Sequence, residues 1–563
     1  MQKLLEDNKA SLYKFSYLFV CVRFKVYVVI IEHCWTFVGK AAHLIQRVLA
    51  DVLLGKDMNK EKDICDILVV GGGVNGVGVA LDAAGRGLSV TLCEMNDLAS
   101  ATSSNSSKLI HGGLRYLEHY EFRLVREALA EREVLLSKAP HIMWPMRFIL
   151  PHRPHLRPAW MIRVGLFLYD HLAKRVTLKG TKTVKFDSGS PLIQGIAKGF
   201  EYSDGWVDDA RLVVLNAVAA KEKGASIRTR TRCVRAKRTG AIWEVQLLDT
   251  LTNKIATVFA KTLVNAAGPW VTNLFDDALH SKAPKKIRLI KGSHIIVPKI
   301  HDQEKAYILQ NEDNRIVFVI PYEGEFSLIG TTDIEHFGDP SNAQISEEEM
   351  EYIISVSNAH FKTKITRSNI VHAYSGVRPL VDDESESPDA VTRDYTFEIE
   401  KNSGEAPLLS IFGGKITTYR KLSEAVVDEI CTYFPDSGNA WTAKSPLPGG
   451  NFNTPEELLA ELKIRFCWLP EPLAKRLVRT YGTLTYKICE NANSLDSLGI
   501  HFGANFYQTE IEYLIENEWA LTVDDIIWRR TKMGLFLSAT QIRAVSDFIT
   551  HYCDTSVRPR QMA

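Results

Sequence analysis

What this chain lacks narrows its chemistry before any motif is read. Its nine cysteines include no pair at Cys-x-x-Cys spacing, so the sequence offers neither a zinc nor an iron–sulfur framework, nor a disulfide pattern. No metal is expected, and a reducing compartment fits best. An excess of one charge is missing too: 68 Lys and Arg stand against 67 Asp and Glu, a formal charge of +1. That balance gives no global reason to expect nucleic acid or an acidic partner, so any electrostatic specialisation must be local. Internal repeats and low-complexity tracts are absent as well.

A long uncharged apolar run is the next absence. Leu12 to Trp35 is apolar and aromatic, but Lys14, Arg23 and Lys25 interrupt it before the ~20 residues needed to span a bilayer are reached. Those basic residues, with no small-residue cleavage site after them, also argue against a signal peptide. Residues 1–62 are therefore expected to be a poorly ordered N-terminal extension, or residues upstream of a natural start at Met58. A membrane-surface anchor is the other reading. What remains is ample: 563 residues, 45% of them hydrophobic, suffice for two or three domains with real cores.

The first of these is announced by "DILVV", Asp66 to Val70, a short β-branched run suited to a strand buried on both faces. "GGGVNG" follows it directly, and Gly71, Gly73 and Gly76 satisfy Gly-x-Gly-x-x-Gly. Small residues then recur at helical spacing until Gly85 and Gly87, and "LSVTLCE" supplies a second strand ending at Glu94. Strand, glycines, helix, strand and acid in this order predict a dinucleotide site. The glycines let backbone N–H groups approach a pyrophosphate at a helix N-terminus, and the carboxylate accepts from ribose hydroxyls. The motif alone does not separate NAD from FAD.

Three later stretches place flexible backbone at a strand end or a helix start. In the first, the hydroxyl run Thr102 to Ser107 precedes Gly112-Gly113, with His111 and Arg115 beside the pair. The second is "TLVNAAGPW", a strand leading to Gly268, and the third is "LLSIFGGKITTYRKL", where Gly413-Gly414 precedes a helix beginning near Lys415.

Together these stretches resemble the FAD-dependent, respiratory glycerol-3-phosphate dehydrogenases of the glycine and D-amino-acid oxidase superfamily. "ATSSNSSKLIHGGLRYLEHYEFRLVREAL", "IRLIKGSHIIVP", "YSGVRPL", "TRDYTFEI", "FGGKITTYRKL" and "EWALTVDDIIWRRTKMG" match that family's pattern, from about Asp63 to the C-terminus. The N-terminal extension departs from it, and the cysteine spacing argues against the anaerobic, iron–sulfur-linked subclass.

The resemblance implies an α/β fold. A Rossmann-like FAD-binding domain with interleaved mixed-sheet substrate segments would cover residues 63–445, and a mainly helical domain residues 446–563. The boundary falls at "PLPGG", after which Thr454, Pro455 and Glu457 form a helix start with a capping box. The cofactor implied is FAD. Its implied contacts come from Gly71, Gly73, Val74, Asn75, Gly76 and Glu94; from Thr102, Ser103, Ser104 and Ser107; from His111, Gly112 and Gly113; and from Gly268, Gly414, Lys415 and Thr417.

Oxidising a phosphorylated secondary alcohol requires a base for the hydroxyl proton and a site for a dianion. Arginine suits the dianion because its planar fork engages two phosphate oxygens. Arg115, Arg378 and Arg393 are the candidates, with Tyr116 as a further hydroxyl. His294 is the first choice for the base, against a buried structural histidine. Lys415, at a helix start, serves either the flavin or the phosphate. The expected reaction takes sn-glycerol 3-phosphate to dihydroxyacetone phosphate, with electrons passing to a membrane quinone. An oxygen-using oxidase, an amine-oxidising relative and a non-catalytic flavin-binding protein are the alternatives.

Basic residues interleaved with Trp160, Leu166, Phe167 and Leu168 between Met146 and Arg175 suit an anionic membrane surface. A peripheral position on the cytoplasmic face of the inner membrane is expected, and a homodimer is allowed. The cluster Arg529, Arg530 and Lys532 is open to three readings: an interface, the membrane, or solubility.

Overall fold

The computed structural model describes residues 64–114, 117, 120–153, 156–313, 315–382 and 395–557. The extension, together with Arg115, Tyr116 and Arg393, lies outside the described residues.

The apolar run before the glycines forms the strand Ile64–Val70, whose last four residues are buried. It sits in the middle of a sheet. The strand Val90–Cys93 pairs parallel on one side, with Ser226–Arg228 beyond it; Ile255–Asn265 pairs parallel on the other, with Leu408–Phe412 beyond that. Thr396–Glu400 closes one edge antiparallel. A hairpin of Thr231–Thr239 and Ile242–Asp249 branches from the long Ile255–Asn265 strand.

One face of this sheet is covered by the helices Val74–Gly85, Asp209–Glu222 and Tyr419–Cys431, which share a core including Ile67, Val69, Val213, Leu422 and Val426. The hairpin packs on the other face around Leu68, Trp243, Val245 and Phe275. Parallel strands buried on both faces explain why the sequence there reads as continuous apolar runs rather than as alternation.

A second sheet of ten strands is mainly antiparallel, with the parallel pair Met143–Pro151 and Lys305–Gln310 making it mixed. Two of its strands, Ile287–Pro298 and His372–Val381, run antiparallel, pairing Ile290 with Arg378 and His294 with Tyr374. Chain segments alternate between the two sheets, so the strands of the second sheet are insertions within the chain that forms the first.

The stretch Met146 to Arg175 divides in two: a buried strand to Pro151, then the helix Ala159–His171, which buries only Leu166 and Tyr169. Trp160, Met161, Val164, Phe167 and Leu168 are exposed. No helix among the described residues is long and apolar enough to cross a membrane.

After Gly450 the chain forms mainly helices around a core of its own, from Leu458 to Ile549. Thr454 Oγ1 accepts from Glu457 N–H at 3.2 Å, so the cap forms as expected. The reciprocal contact from the Glu457 side chain does not, and the capping box is only half present. In the Arg529–Lys532 cluster, Arg530 and Lys532 are buried and Arg529 is half-buried, and all three are ion-paired. Arg530 donates to both Asp97 oxygens, Arg529 donates to Asp97 and Asp525, and Lys532 pairs with Asp208 at 2.9 Å. These pairs tie the C-terminal helices to the segment that follows Glu94 and to the start of the Asp209–Glu222 helix.

Candidate functional site

A cavity of about 360 Å³ opens at the C-terminal ends of the parallel strands Ile64–Val70, Val90–Cys93, Ile255–Asn265 and Leu408–Phe412. This is where an open α/β sheet binds its ligands.

The glycine turn has specific steric reasons. Gly71 holds φ at +115°, and a Cβ on it would meet the Ala266 carbonyl oxygen at 2.4 Å. A Cβ on Gly76 would stand 1.9 Å from the Gly71 oxygen, so the helix packs on the turn only without a side chain there. Gly73 caps the Val74–Gly85 helix without a side-chain bond, and the first turn holds no acidic residue. No acidic side chain therefore competes with an anionic group at its N-terminus. Val74 N–H donates to Ser103 Oγ at 3.0 Å, and Asn75 Nδ2 donates to the Gly413 carbonyl at 3.2 Å. Glu94, at the end of the second strand, accepts from Gly72 N–H at 2.6 Å and Asn96 N–H at 2.9 Å. Burial pushes its carboxyl pKa up, and those two bonds work against the rise.

Around the rest of the cavity stand Thr102, Ser103, Ser107, His111, Gly268, Gly414, Lys415 and Thr417. Gly268 and Gly414 hold positive φ, at 57° and 103°, the conformation in which glycine lets backbone face a ligand closely. Gly76, Ser104, Gly112 and Gly113 are not in the wall. The second glycine pair works from behind it. A Cβ on Gly112 would meet Leu129 at 2.4 Å, and its N–H donates to Tyr169 O–H at 2.8 Å, which in turn donates to Asp204. Gly113 turns at φ +74°. The pair lets the chain pack tightly enough to present His111, whose N–H lies 3.3 Å from Thr417 Oγ1. The sequence expectation of backbone close to the flavin at Gly112-Gly113 thus becomes support for the residue before them.

Two expected chemical residues enter the same cavity from the second sheet, His294 and Arg378. His294 is buried, pairs across the sheet with Tyr374, and stacks on that ring at 5.0 Å and 19°. Its Nε2 lies 2.9 Å from Ser107 Oγ, and its Nδ1 is buried with no hydrogen-bond partner among the described residues. Burial first, then the nearby Lys108 and Arg378 charges, lowers the imidazole pKa to about 3. A histidine held neutral in this way presents an unprotonated imidazole in the cavity wall. Behind it, Glu349 accepts from Ser293 Oγ at 2.9 Å and Thr332 Oγ1 at 2.7 Å and pairs with Lys291, which fixes the strand. Arg378 is ion-paired with Asp333 and remains partly exposed to the cavity side. Lys415 precedes the short turn Ile416–Thr418, in the extended conformation of an N-cap. Tyr374, Asp333 and Glu349 were not singled out from sequence. Tyr374 carried a signal, standing two residues before Gly376 in the same motif, and so did Asp333, which closes the family-like stretch "RIVFVIPYEGEFSLIGTTD"; Glu349 did not.

The family model for FAD dependent oxidoreductases matches residues 66–420, and that for the C-terminal domain of alpha-glycerophosphate oxidase matches residues 440–556. The chain belongs to the FAD-dependent oxidoreductase family. It is 58% identical over 480 residues to a glycerol-3-phosphate dehydrogenase of Pseudomonas aeruginosa, covering 85% of this chain and 94% of that one. A D-erythritol 1-phosphate dehydrogenase of Brucella abortus is 51% identical over 486 residues, covering 85% and 97%. Among solved structures, the glycerol-3-phosphate dehydrogenase from Bacillus halodurans complexed with FAD superposes with a TM-score of 0.68 at 26% identity, covering 89% of this chain and 92% of that one.

The cavity fits the cofactor of this family. The helix N-terminus behind Gly73 suits a pyrophosphate, Glu94 stands where a ribose is bound in such folds, and the open space beside Gly268 leaves room for a flat ring system. Bound there, FAD supplies a hydride acceptor.

Proposed function

We propose that this protein oxidises sn-glycerol 3-phosphate to dihydroxyacetone phosphate at the FAD site and passes the electrons to a membrane quinone. The observation that carries the reading is the meeting, in one cavity with the dinucleotide turn, of a neutral buried imidazole and a guanidinium. His294 takes the proton of the substrate's secondary hydroxyl through Nδ1, the ring nitrogen without a partner. Ser107 holds the other nitrogen and so fixes the ring's orientation. Arg378 engages the phosphate, where a charge-assisted bond is stronger than a neutral one. Lys415 adds positive charge at the cavity wall. The names of the relatives support the substrate class, a polyol phosphate.

A peripheral position on the cytoplasmic face of the inner membrane goes with a quinone acceptor. Its support is the helix Ala159–His171, with Trp160 at 67% and Phe167 at 55% exposure, and with Arg157, Arg163 and Lys174 exposed around it. Apolar side chains flanked by cations suit an anionic lipid surface.

The experiment is a steady-state assay of FAD-loaded protein on anionic vesicles containing quinone, with glycerol 3-phosphate and D-erythritol 1-phosphate run side by side. Quinone reduction matched by dihydroxyacetone phosphate supports the proposal. Stoichiometric peroxide without quinone reduction would establish the oxidase alternative, and a preference for the four-carbon substrate would reassign the specificity.

A further inference from the structure

Lys108 has no part in the chemistry above, yet its side chain is engaged on every side. It is 2% exposed and follows Ser107 directly, with a left-handed φ of 58°. Its Nζ donates to Asp209 Oδ1 at 2.7 Å and to the Ser104 carbonyl at 3.0 Å, and lies 5.2 Å from the centre of the Tyr374 ring. Asp209 accepts in turn from Ser106, through its N–H at 3.1 Å and its Oγ at 2.7 Å. Tyr374 O–H donates to the Ser106 carbonyl at 2.9 Å, and its ring is the one stacked on His294.

One ammonium therefore touches the loop that carries Ser107 and the ring that backs His294. A buried ion pair is a poor source of stability in itself, since apolar residues of similar size often replace it without loss. Its contacts here are local to the site, which gives it another use.

We propose that Lys108 is a positioning residue for His294: paired with Asp209, it holds the Ser104–Ser107 segment and the Tyr374 ring so that Ser107 Oγ and His294 Nε2 meet in a single arrangement. The inference rests on reading His294 as the proton acceptor. The charged groups facing that histidine are Lys108 from the hydroxyl loop and Arg378 from the neighbouring strand. Asp209 lies behind Lys108, Asp208 beside it is neutralised by Lys532, and Arg378 is paired with Asp333. Removing the Lys108 charge takes away a cation that opposes protonation of His294, so protonation of the imidazole then occurs at higher pH.

The test uses full-length, FAD-loaded Lys108→Met, Lys108→Arg and the double variant Lys108→Met/Asp209→Asn. The limiting rate of flavin bleaching by glycerol 3-phosphate is followed anaerobically between about pH 5 and 9. The methionine variant and the double variant should lose about tenfold or more in limiting rate, while KM moves less than about threefold. The acid limb of the Lys108→Met profile should rise from the parent's value, near a His294 pKa of about 3, toward this window, and Lys108→Arg should recover most of the rate. The double variant leaves no lone buried charge, so it keeps the test open if the single variant fails to fold. A folded double variant with the parent's limiting rate would overturn the inference. His294→Asn, run in parallel, separates the two readings. Slow reduction there with normal Lys108 variants overturns this inference alone, whereas normal reduction overturns the role of His294 and the inference with it.

Discussion

Ser107 Oγ stands 2.9 Å from His294 Nε2, leaving Nδ1 as the nitrogen without a hydrogen-bond partner among the described residues. If that nitrogen takes the substrate proton, His294→Asn slows flavin reduction by about 10²–10⁴, the usual contribution of a positioned base. The variant keeps its FAD, because no cofactor-turn residue is touched. Stopped-flow bleaching with the absorbance of bound flavin reports both. An unchanged single-turnover rate would make His294 a structural histidine.

Three buried histidines share a lowered pKa: His294 and His141 to about 3 and His301 to about 4, in each case chiefly through desolvation. Their folded values lie below the unfolded one, so the unfolded chain takes up protons first as pH falls. The stability these neutral histidines allow is complete above about pH 6.5 and is lost as pH falls toward their folded values, by up to about 1.4 kcal/mol per pH unit for each group. Urea midpoints at about pH 7.5 and 5 measure it. The midpoint should be clearly lower at the acid pH and should fall less in His141→Asn; equal midpoints in the parent protein would contradict the account.

Arg378 reaches the cavity from the strand next to His294 and is steadied by Asp333. Arg378→Ala should raise KM for glycerol 3-phosphate by about tenfold or more, the loss of a charge-assisted bond of roughly 1.5–3 kcal/mol. The limiting rate of reduction should change less. Unaltered kinetics would remove Arg378 from the phosphate site.

The exposed face of the Ala159–His171 helix makes a separable prediction. Replacing Trp160 and Phe167 together by serine should lower partition onto anionic vesicles by at least about tenfold, each exposed aromatic carrying roughly 1.5–3 kcal/mol when buried. Activity with a soluble acceptor should persist. Parent protein that stays in the supernatant at low salt would remove the membrane role.

How much of this was legible in the sequence depends on the distance over which each feature is determined. The first strand, glycine turn and helix are local: Gly71 and Gly76 are required by contacts within the turn and with one adjacent strand. Periodicity and glycine spacing carry that information. His294 and Arg378 were legible as residue types in motifs, but not the pairing that brings Ser107, Tyr374 and Asp333 to them. The second glycine pair suggests backbone facing the flavin because sequence shows a glycine's freedom and not what fills the space beside it. Here that space holds Leu129 and Tyr169. Arg530 and Asp97 meet at 2.8 and 2.9 Å across 433 residues of chain, and no local pattern announces such a pair. A run of cations reads as a surface until the carboxylates opposite are known.

The central claim is that one cavity holds FAD and oxidises glycerol 3-phosphate with this chain's own base. Anaerobic addition of glycerol 3-phosphate to the FAD-loaded protein tests it most directly. The account predicts full bleaching of the oxidised flavin absorbance, with one dihydroxyacetone phosphate formed per flavin. Flavin that stays bound and oxidised under saturating substrate would contradict it.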